Sequence, residues 1–316
     1  MNRLLPLIVI AGPTAVGKTE AGVRVSKKIH GEVISGDSMQ VYRYMDIGTA
    51  KPTEEEMEGI PHHMLDIVTP GEDFNVARFQ QMVERHIVQI NDRGKVPVLV
   101  GGTGLYIRAV LDHYDFTPPG GDPSRRMELQ EIAEKHGNRY LADMLKKTDR
   151  AAAERIHPND RRRLIRALEV YYSTGRPISE FRYKAGEMLP KYNLAYFGLT
   201  MEREKLYKRI EQRVDDMISK GLVDEVKRLV EMGYGEQNTA MQALGYRELL
   251  DYLKGLCSLE EAVVLIKRNT RRFAKRQLTW FRRDTRIEWK NVDTYDSLEE
   301  IADEITAKAE GLFAKT

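Results

Sequence analysis

Eight residues, Gly12-Pro13-Thr14-Ala15-Val16-Gly17-Lys18-Thr19, fit the pattern G-x-x-x-x-G-K-[ST] at every fixed position. A loop of this kind grips a di- or triphosphate by turning successive backbone N–H groups inward. Glycines at 12 and 17 permit this, because side chains there would block the approach or the dihedrals. Lys18 supplies a point charge for phosphate oxygens, the Thr19 hydroxyl is placed to bind Mg²⁺, and a following helix turns its positive end to the anion. The implied ligand is a polyphosphate and the implied cofactor Mg²⁺.

Further polar positions fall where such a ligand needs them. Gly31-Glu32-Val33-Ile34-Ser35-Gly36-Asp37 ends in a carboxylate. At the carboxyl end of a strand in an open α/β sheet, Asp37 faces the same crevice as Lys18, although a helix cap or a Mg²⁺ ligand would use the same residue. The following Ser38-Met39-Gln40-Val41-Tyr42 is polar and aromatic, suited to a planar group. Gly101-Gly102-Thr103-Gly104-Leu105-Tyr106 implies close backbone approach to a ligand or to a neighbouring loop, with Thr103 as the group presented; a plain turn is the alternative. Arg209 and Arg213 lie one turn apart, either on a solvated face or, if they face the phosphate loop, neutralising a departing phosphate. The pair His62-His63 is not a metal site, since neighbours on a strand point to opposite faces and no partner sits at ligand spacing.

Basic residues cluster twice. Arg161-Arg162-Arg163-Leu164-Ile165-Arg166 places four arginines in six residues, some solvated or paired and the rest able to contact a phosphate backbone. Residues 267–286 hold nine basic residues against one acid, Asp284, a net of +8. Neutralising several phosphates supplies most of the affinity in such interfaces. Phe273, Trp280 and Phe281 read as core anchors of that helix rather than as stacking platforms.

The elements that must position these groups follow from periodicity. Residues 4–11, 31–37, 95–100 and 192–200 read as buried strands and 61–68 as a short one; helices cover about 19–30, 76–92, 202–220 and 296–313. From residue 116 the texture changes. Thr117-Pro118-Pro119-Gly120-Gly121 reads as a linker, Asp122-Pro123 as a helix start, and helices fill about 124–136, 138–147, 149–156 and 159–174. The fold class expected is α/β, a P-loop NTPase-like parallel sheet core flanked by helices (1–115 and 193–316), with an all-helical insertion over 116–192.

A chain of 316 residues, 41% apolar and 31% charged, can bury a full core. One cysteine, Cys257, excludes an internal disulfide framework and fits a reducing cytoplasm. The opening Met1-Asn2-Arg3 and apolar run only loosely imitate a signal peptide. No stretch reaches the roughly 18 to 20 apolar residues that span a bilayer.

Three classes survive: a small-molecule kinase, a nucleic-acid-dependent ATPase, and a transferase that expels diphosphate while modifying a nucleic acid. The kinase leaves the +8 segment and the insertion unused, and the ATPase lacks a clear strand ending in Asp after the loop. Here the motifs converge. The loop 12–19, Asp37-Ser38-x-Gln40-x-Tyr42, Pro61-His62-His63-x-Leu65-Asp66, Gly101-Gly102-Thr103-x-Leu105-Tyr106, Gly245-Tyr246-Arg247 and Lys275-Arg276-Gln277-x-Thr279-Trp280 together resemble the bacterial tRNA dimethylallyltransferases, or tRNA isopentenyltransferases.

The resemblance implies transfer of a dimethylallyl group from dimethylallyl diphosphate to N6 of the adenosine 3′ of the anticodon. By that likeness Gly12, Thr14, Ala15, Val16, Gly17, Lys18 and Thr19 hold the diphosphate, with Thr19 on Mg²⁺. Asp37 is the base, Arg213 (or Arg209) steadies the leaving group, and Thr103 touches the diphosphate or the target nucleotide. The adenine is expected to flip out to reach this pocket. Ser38, Met39, Gln40, Arg126, Arg161, Arg162, Arg163, Leu164, Ile165, Gln242, Gly245, Tyr246, Arg247, Lys275, Arg276, Gln277, Trp280 and Arg282, with Asp37 and Thr103, carry over as tRNA contacts. Val16 departs from the Ser of many relatives, and the zinc finger of eukaryotic relatives is absent, so no metal beyond Mg²⁺ is expected. The expected protein is a cytoplasmic monomer that binds the tRNA anticodon stem-loop and no membrane. The alternatives are a P-loop kinase and an isopentenyltransferase acting on free AMP or ATP, neither of which needs the basic stretch or the insertion.

Overall fold

Apolar runs without alternation, such as Leu7-Ile8-Val9-Ile10 and Val98-Leu99-Val100, are stable only where both faces of a sheet are covered. The computed structural model describes residues 4–112, 123–181 and 190–314. In it the strands are β1 (Pro6–Ala11), β2 (Glu32–Ser35), β3 (His62–His63), β4 (Pro97–Gly101), β5 (Asn193–Thr200) and β6 (Glu288–Asn291). They form one sheet in the order β3-β2-β4-β1-β5-β6, and every neighbouring pair is parallel. The helices are α1 (Lys18–Lys28), α2 (Glu54–Met57), α3 (Val76–Asp92), α4 (Gly104–Leu111), α5 (Pro123–His136), α6 (Asn138–Thr148), α7 (Arg150–Ala153) and α8 (Arg161–Thr174). After β5 come α9 (Arg203–Ser219), α10 (Leu222–Glu231), α11 (Tyr246–Leu253), α12 (Leu259–Phe281) and α13 (Leu298–Phe313).

Register fixes where the chemistry sits. Ala11 of β1 lies beside Gly101 of β4 and Gly198 of β5, and Ser35 of β2 lies beside Val100. The turns that leave β1, β2 and β4 therefore emerge side by side at the carboxyl end of the sheet, the ligand-binding end of open α/β folds. Residues including Leu7, Val9, Ile34, Leu99 and Tyr246 build the core on one face of the sheet, and Ile8, Ile10, Val98, Phe197 and Ile305 build the other.

The chain divides into two compact units, Met1–Leu111 with Pro190–Thr316, and Asp112–Leu189. The second has its own core, with Leu129, Leu141, Leu145, Leu164 and Leu168 buried among α5 to α8. The linker expected at 117–121 and the cap at Asp122 lie outside the described residues.

Two expectations change. The strand expected over 61–68 shrinks to His62–His63, because Met64 (φ 67°) and Asp66 (φ 54°) turn the backbone left-handed. Glu288-Trp289-Lys290-Asn291 forms an edge strand that its polarity hid. No group of three or more His, Cys, Asp or Glu able to hold a metal occurs among the described residues. Instead His63 stacks on His86 at 4.6 Å and shares the buried Glu32 carboxylate with Arg93 and Lys95. Those partners outweigh burial and hold the Glu32 carboxyl down to about 2.

Candidate active site

The phosphate loop turns out of β1 with Gly12 at φ 153°, where a Cβ would lie 2.6 Å from the Leu199 carbonyl oxygen. Gly17, at φ 101°, caps α1, and Ala15 holds a left-handed φ of 66° between them. A non-glycine residue in that region stores strain, which concentrates at ligand clamps. Val16 is buried, Thr14 half-buried, and Thr19 exposed at the start of α1. The Lys18 ammonium curls back to donate to the Pro13 carbonyl oxygen at 2.6 Å. Burial, and then the nearby Arg213 charge, pull it down to about 7, with Asp37 opposing.

Two side chains from distant elements tie this loop down. The Thr14 N–H donates to Gln277 Oε1 on α12 (2.9 Å), and Gln277 Nε2 donates to the Gly102 carbonyl after β4 (2.9 Å). Arg213 on α9 donates from Nη1 to Thr14 Oγ1 at 3.4 Å. Burial pulls its guanidinium below the usual arginine value, while the charges of Asp37 and Glu56 pull it back up. Arg209, one turn earlier, is exposed and its charge acts on Asp293 instead. Of the two arginines, Arg213 is thus the one that meets the loop.

Asp37 leaves β2 beside this cluster. Its Oδ1 accepts the Met39 N–H (2.8 Å), and its own N–H donates to Ser35 Oγ (3.3 Å). Thr103 Oγ1 accepts the Ser38 N–H at 3.2 Å, so the turns after β2 and β4 are joined. Gln40 accepts from Ser35 Oγ (2.8 Å) and donates to the carbonyls of Thr49 (3.3 Å) and Ala50 (3.1 Å). Tyr106 stacks on Phe79 at 4.6 Å; burial first, then the Tyr42 and Asp37 charges, raise its phenol above the usual range. Lys18, Asp37 and Arg213 therefore lie close enough to act on one another, around a loop whose amides can hold an anion.

The basic surfaces are built differently. On α12, Arg272, Lys275 and Arg276 are exposed, as are Arg282 and Arg283 just beyond it. The +8 segment is partly neutralised from outside, since Lys267 pairs with Asp215 (2.6 Å) and Arg271 with Glu211, while Arg286 pairs with Asp284 (2.6 Å), the acid already counted in that net. Trp280 is seated against Gly104, where a Cβ would lie 2.1 Å from the indole. On α8, Arg161, Arg162 and Arg163 are exposed, whereas Leu164 and Ile165 are buried in the core of the second unit. Arg126 pairs with the buried Glu169 (2.9 Å).

Some residues carried over as tRNA contacts have side chains that are buried or already hydrogen-bonded within the protein. Tyr246 is 0% exposed, Leu164 and Ile165 are core, and the Gln277 amide is committed to two loops. Their neighbours Gln242, Arg247 and Lys275 offer the exposed polar groups, and Gly245, at φ 91°, opens α11 through a hydrogen bond from its N–H to Glu248 (2.9 Å).

The family model described as IPP transferase matches residues 40–284. The chain belongs to this family. It is 58% identical over 303 residues to the tRNA dimethylallyltransferase of Carboxydothermus hydrogenoformans, covering 96% of this chain and 97% of that protein. The tRNA dimethylallyltransferase of Pelotomaculum thermopropionicum is 51% identical over 311 residues, 98% of each chain. Among solved structures, the full-length tRNA isopentenylpyrophosphate transferase of Bacillus halodurans superposes with a TM-score of 0.72 at 48% identity, covering 98% of both chains. A eukaryotic dimethylallyltransferase acting on tRNA reaches 0.78 at 32% identity, covering 96% of this chain and 79% of that one. None of these relatives is a kinase.

Sequence reasoning missed the stretch 46–51, which wraps Gln40, and the buried Glu225 that holds it. Glu225 reads in sequence as an ordinary acid in the first turn of a helix, and only its burial gives it away. Gly48-Thr49-Ala50-Lys51, a small polar run beside the Asp37 segment, was the available signal.

Proposed function

We propose that this chain transfers a dimethylallyl group from dimethylallyl diphosphate to N6 of the adenosine 3′-adjacent to the anticodon of tRNAs, releasing diphosphate. The observation that carries this reading is the convergence of Lys18, Arg213 and Asp37 over the phosphate loop, with exposed cations on α12 for a polyanion. The N6 lone pair attacks C1 of the allyl group, the C1–O bond breaks, its electron pair leaves with the diphosphate, and the N6 proton passes to Asp37. An exocyclic amine conjugated with its ring is a weak nucleophile, so a positioned base matters. The Met39 N–H on Oδ1 orients that carboxylate.

Loop amides from Thr14 to Thr19, with Lys18 and Arg213, hold the diphosphate as its charge grows. Fixed charges screened little by water are the most effective stabilisers of such a leaving group. The exposed Thr19 hydroxyl is the side-chain oxygen that would hold a Mg²⁺ ion, a cation that commonly binds through few protein ligands together with substrate phosphates. That ion would neutralise leaving-group charge. The exposed α12 cations meet the tRNA backbone, the segment Asp37 to Gln40 with Thr103 meets the target nucleotide, and in the helical unit Arg126 and the α8 arginines are assigned to tRNA in their own right. A cytoplasmic location and a monomeric state belong to the same proposal. No helix among the described residues is long and apolar enough to cross a membrane.

Single-turnover transfer of radiolabelled dimethylallyl diphosphate to unmodified tRNA, with AMP and an Asp37→Ala variant alongside, tests this. Label in tRNA, absent from AMP and reduced by about 10²- to 10⁴-fold in the variant, is the expected result. Label in AMP alone would overturn it.

A further inference from the structure

Glu225, on α10, is 2% exposed, and a buried carboxylate must be hydrogen-bonded to be tolerated. Its Oε2 accepts the N–H groups of Asp46 (2.9 Å) and Ile47 (2.8 Å), and its Oε1 accepts the Gly48 N–H (3.1 Å) and the Tyr246 hydroxyl (2.6 Å). The fit is close. A Cβ at Gly48 would lie 2.5 Å from the Tyr246 ring, and burial, then the Glu225 charge, hold the Tyr246 phenol well above its usual value.

The loop gathered in this way does not end at the carboxylate. The Thr49 and Ala50 carbonyls accept from Gln40 Nε2, Gln40 Oε1 accepts from Ser35 Oγ, and Ser35 Oγ accepts the Asp37 N–H. Hydrogen bonds, joined through the covalent backbone of residues 46–50, therefore link Glu225 by way of Gln40 and Ser35 to the backbone of Asp37. We propose that Glu225 is a positioning residue for Asp37, acting through the 46–50 loop and Gln40, although it touches no substrate. This rests on the reading of Asp37 as the base.

The physical argument is that a catalytic base works only when its own supports are rigid. Among the supports described, Oδ1 is held locally by Met39, but the backbone that carries Asp37 is pinned through Ser35 and Gln40. Gln40 in turn has its amide locked by carbonyls whose loop would splay without Glu225. A displacement of about 1 Å at the reacting groups can cost on the order of 100-fold in rate. Replacing the carboxylate by an amide of the same volume sets an NH₂ against the 46–48 N–H groups, so Glu225→Gln breaks the chain without opening a cavity.

Single-turnover transfer at saturating tRNA and dimethylallyl diphosphate is the first readout. Glu225→Gln is expected to slow it by about tenfold or more, while affinity for inorganic diphosphate stays within about twofold, because the phosphate loop lies off the chain. Gln40→Ala and the double variant complete a cycle. If both act through one chain, the double variant is no slower than the slower single; losses that multiply would mean independent roles and overturn the proposal. Amide exchange is the second readout. In Glu225→Gln the amides of residues 46–48 and of Met39 should exchange faster, and those of residues 14–19 should not. Loosening at 46–48 with Met39 and the rate unchanged would also overturn it.

If Glu225→Gln does not unfold cooperatively, Tyr246→Phe, which removes one donor to the same carboxylate, takes its place with an expected loss of about threefold; a wild-type rate in that variant counts against the proposal. Should the wild-type protein transfer no label to tRNA, the proposed function falls, while the exchange pattern still decides whether Glu225 holds the Asp37 segment.

Discussion

Arg213 and the outer cations of α12 carry the same formal charge in opposite surroundings. Arg213 is half-buried, reaches Thr14, and shares its field with Lys18 and Asp37. Arg272, Lys275 and Arg276 stand exposed on a helix whose inner face carries Gln277 to the phosphate loop. A leaving group needs charge already in place and poorly screened by water. A polyanion track needs many cations, each weak and salt-sensitive. In the proposed function one helix meets nucleic acid on its outer side, while on its inner side Gln277 ties down the phosphate loop.

Truncating the half-buried Arg213 should break this contrast most visibly. Arg213→Ala is expected to lower the single-turnover rate by about 10²- to 10³-fold, the loss typical of one stabilising donor at a developing charge. Arg209→Ala, one turn away and exposed, should stay within about twofold, as surface changes usually do. Rapid-quench measurement on both variants decides it; equal losses would mean that the two arginines share the role.

The residues to which the proposed chemistry is assigned were legible in the sequence, and little of what supports them was. The phosphate loop, Asp37, Thr103 and the α12 cations are legible because the chemistry proposed for them dictates their residue types, whatever surrounds them. Helix α3 is legible from end to end, since Asn75 caps it and Phe79, Val83, Ile87 and Ile90 repeat on one face. The choice between Arg209 and Arg213 was not legible, because two residues one turn apart on a helix differ only in what packs nearby. Gln277 and Tyr246 look in sequence like members of contact motifs. Burial turns the first into a tie between loops and the second into a donor for Glu225. The net of +8 overstated the free charge because Asp215 and Glu211, more than 50 residues earlier, return to pair with Lys267 and Arg271. Edge strand β6 stayed hidden because Glu288, Lys290 and Asn291 lack an apolar run.

Neutralising the exposed side sharpens the contrast at intermediate size. Lys275→Ala, Arg276→Ala and Arg282→Ala should each raise the half-saturating tRNA concentration several-fold, reduce the salt slope of binding by about one, and leave the rate at saturation unchanged. Filter-binding titrations over a salt series, paired with single turnovers, would show it. A fall in the saturated rate would place the altered residue at the chemistry instead.

The smallest expected effect concerns protons. Lys18 titrates at about 7 in the free protein, so it is largely neutral at pH 8. An anionic ligand raises it again, so binding takes up a proton, and this contribution to affinity fades as pH rises above about 7. Calorimetry with inorganic diphosphate in two buffers of different ionisation enthalpy should show wild type taking up on the order of one proton more than Lys18→Met. Equal uptake in the two proteins would remove Lys18 from the diphosphate site.

The most direct test of the two-environment account is a salt series on the wild-type protein, following the half-saturating tRNA concentration and the single-turnover rate at saturation together. Between about 50 and 200 mM salt the account predicts a loss of tRNA affinity of at least tenfold, with a saturated rate that changes less than about twofold because the charges at the diphosphate are poorly screened. A saturated rate that falls in step with affinity would contradict it, since the leaving group would then depend on the same solvated charges as the RNA backbone.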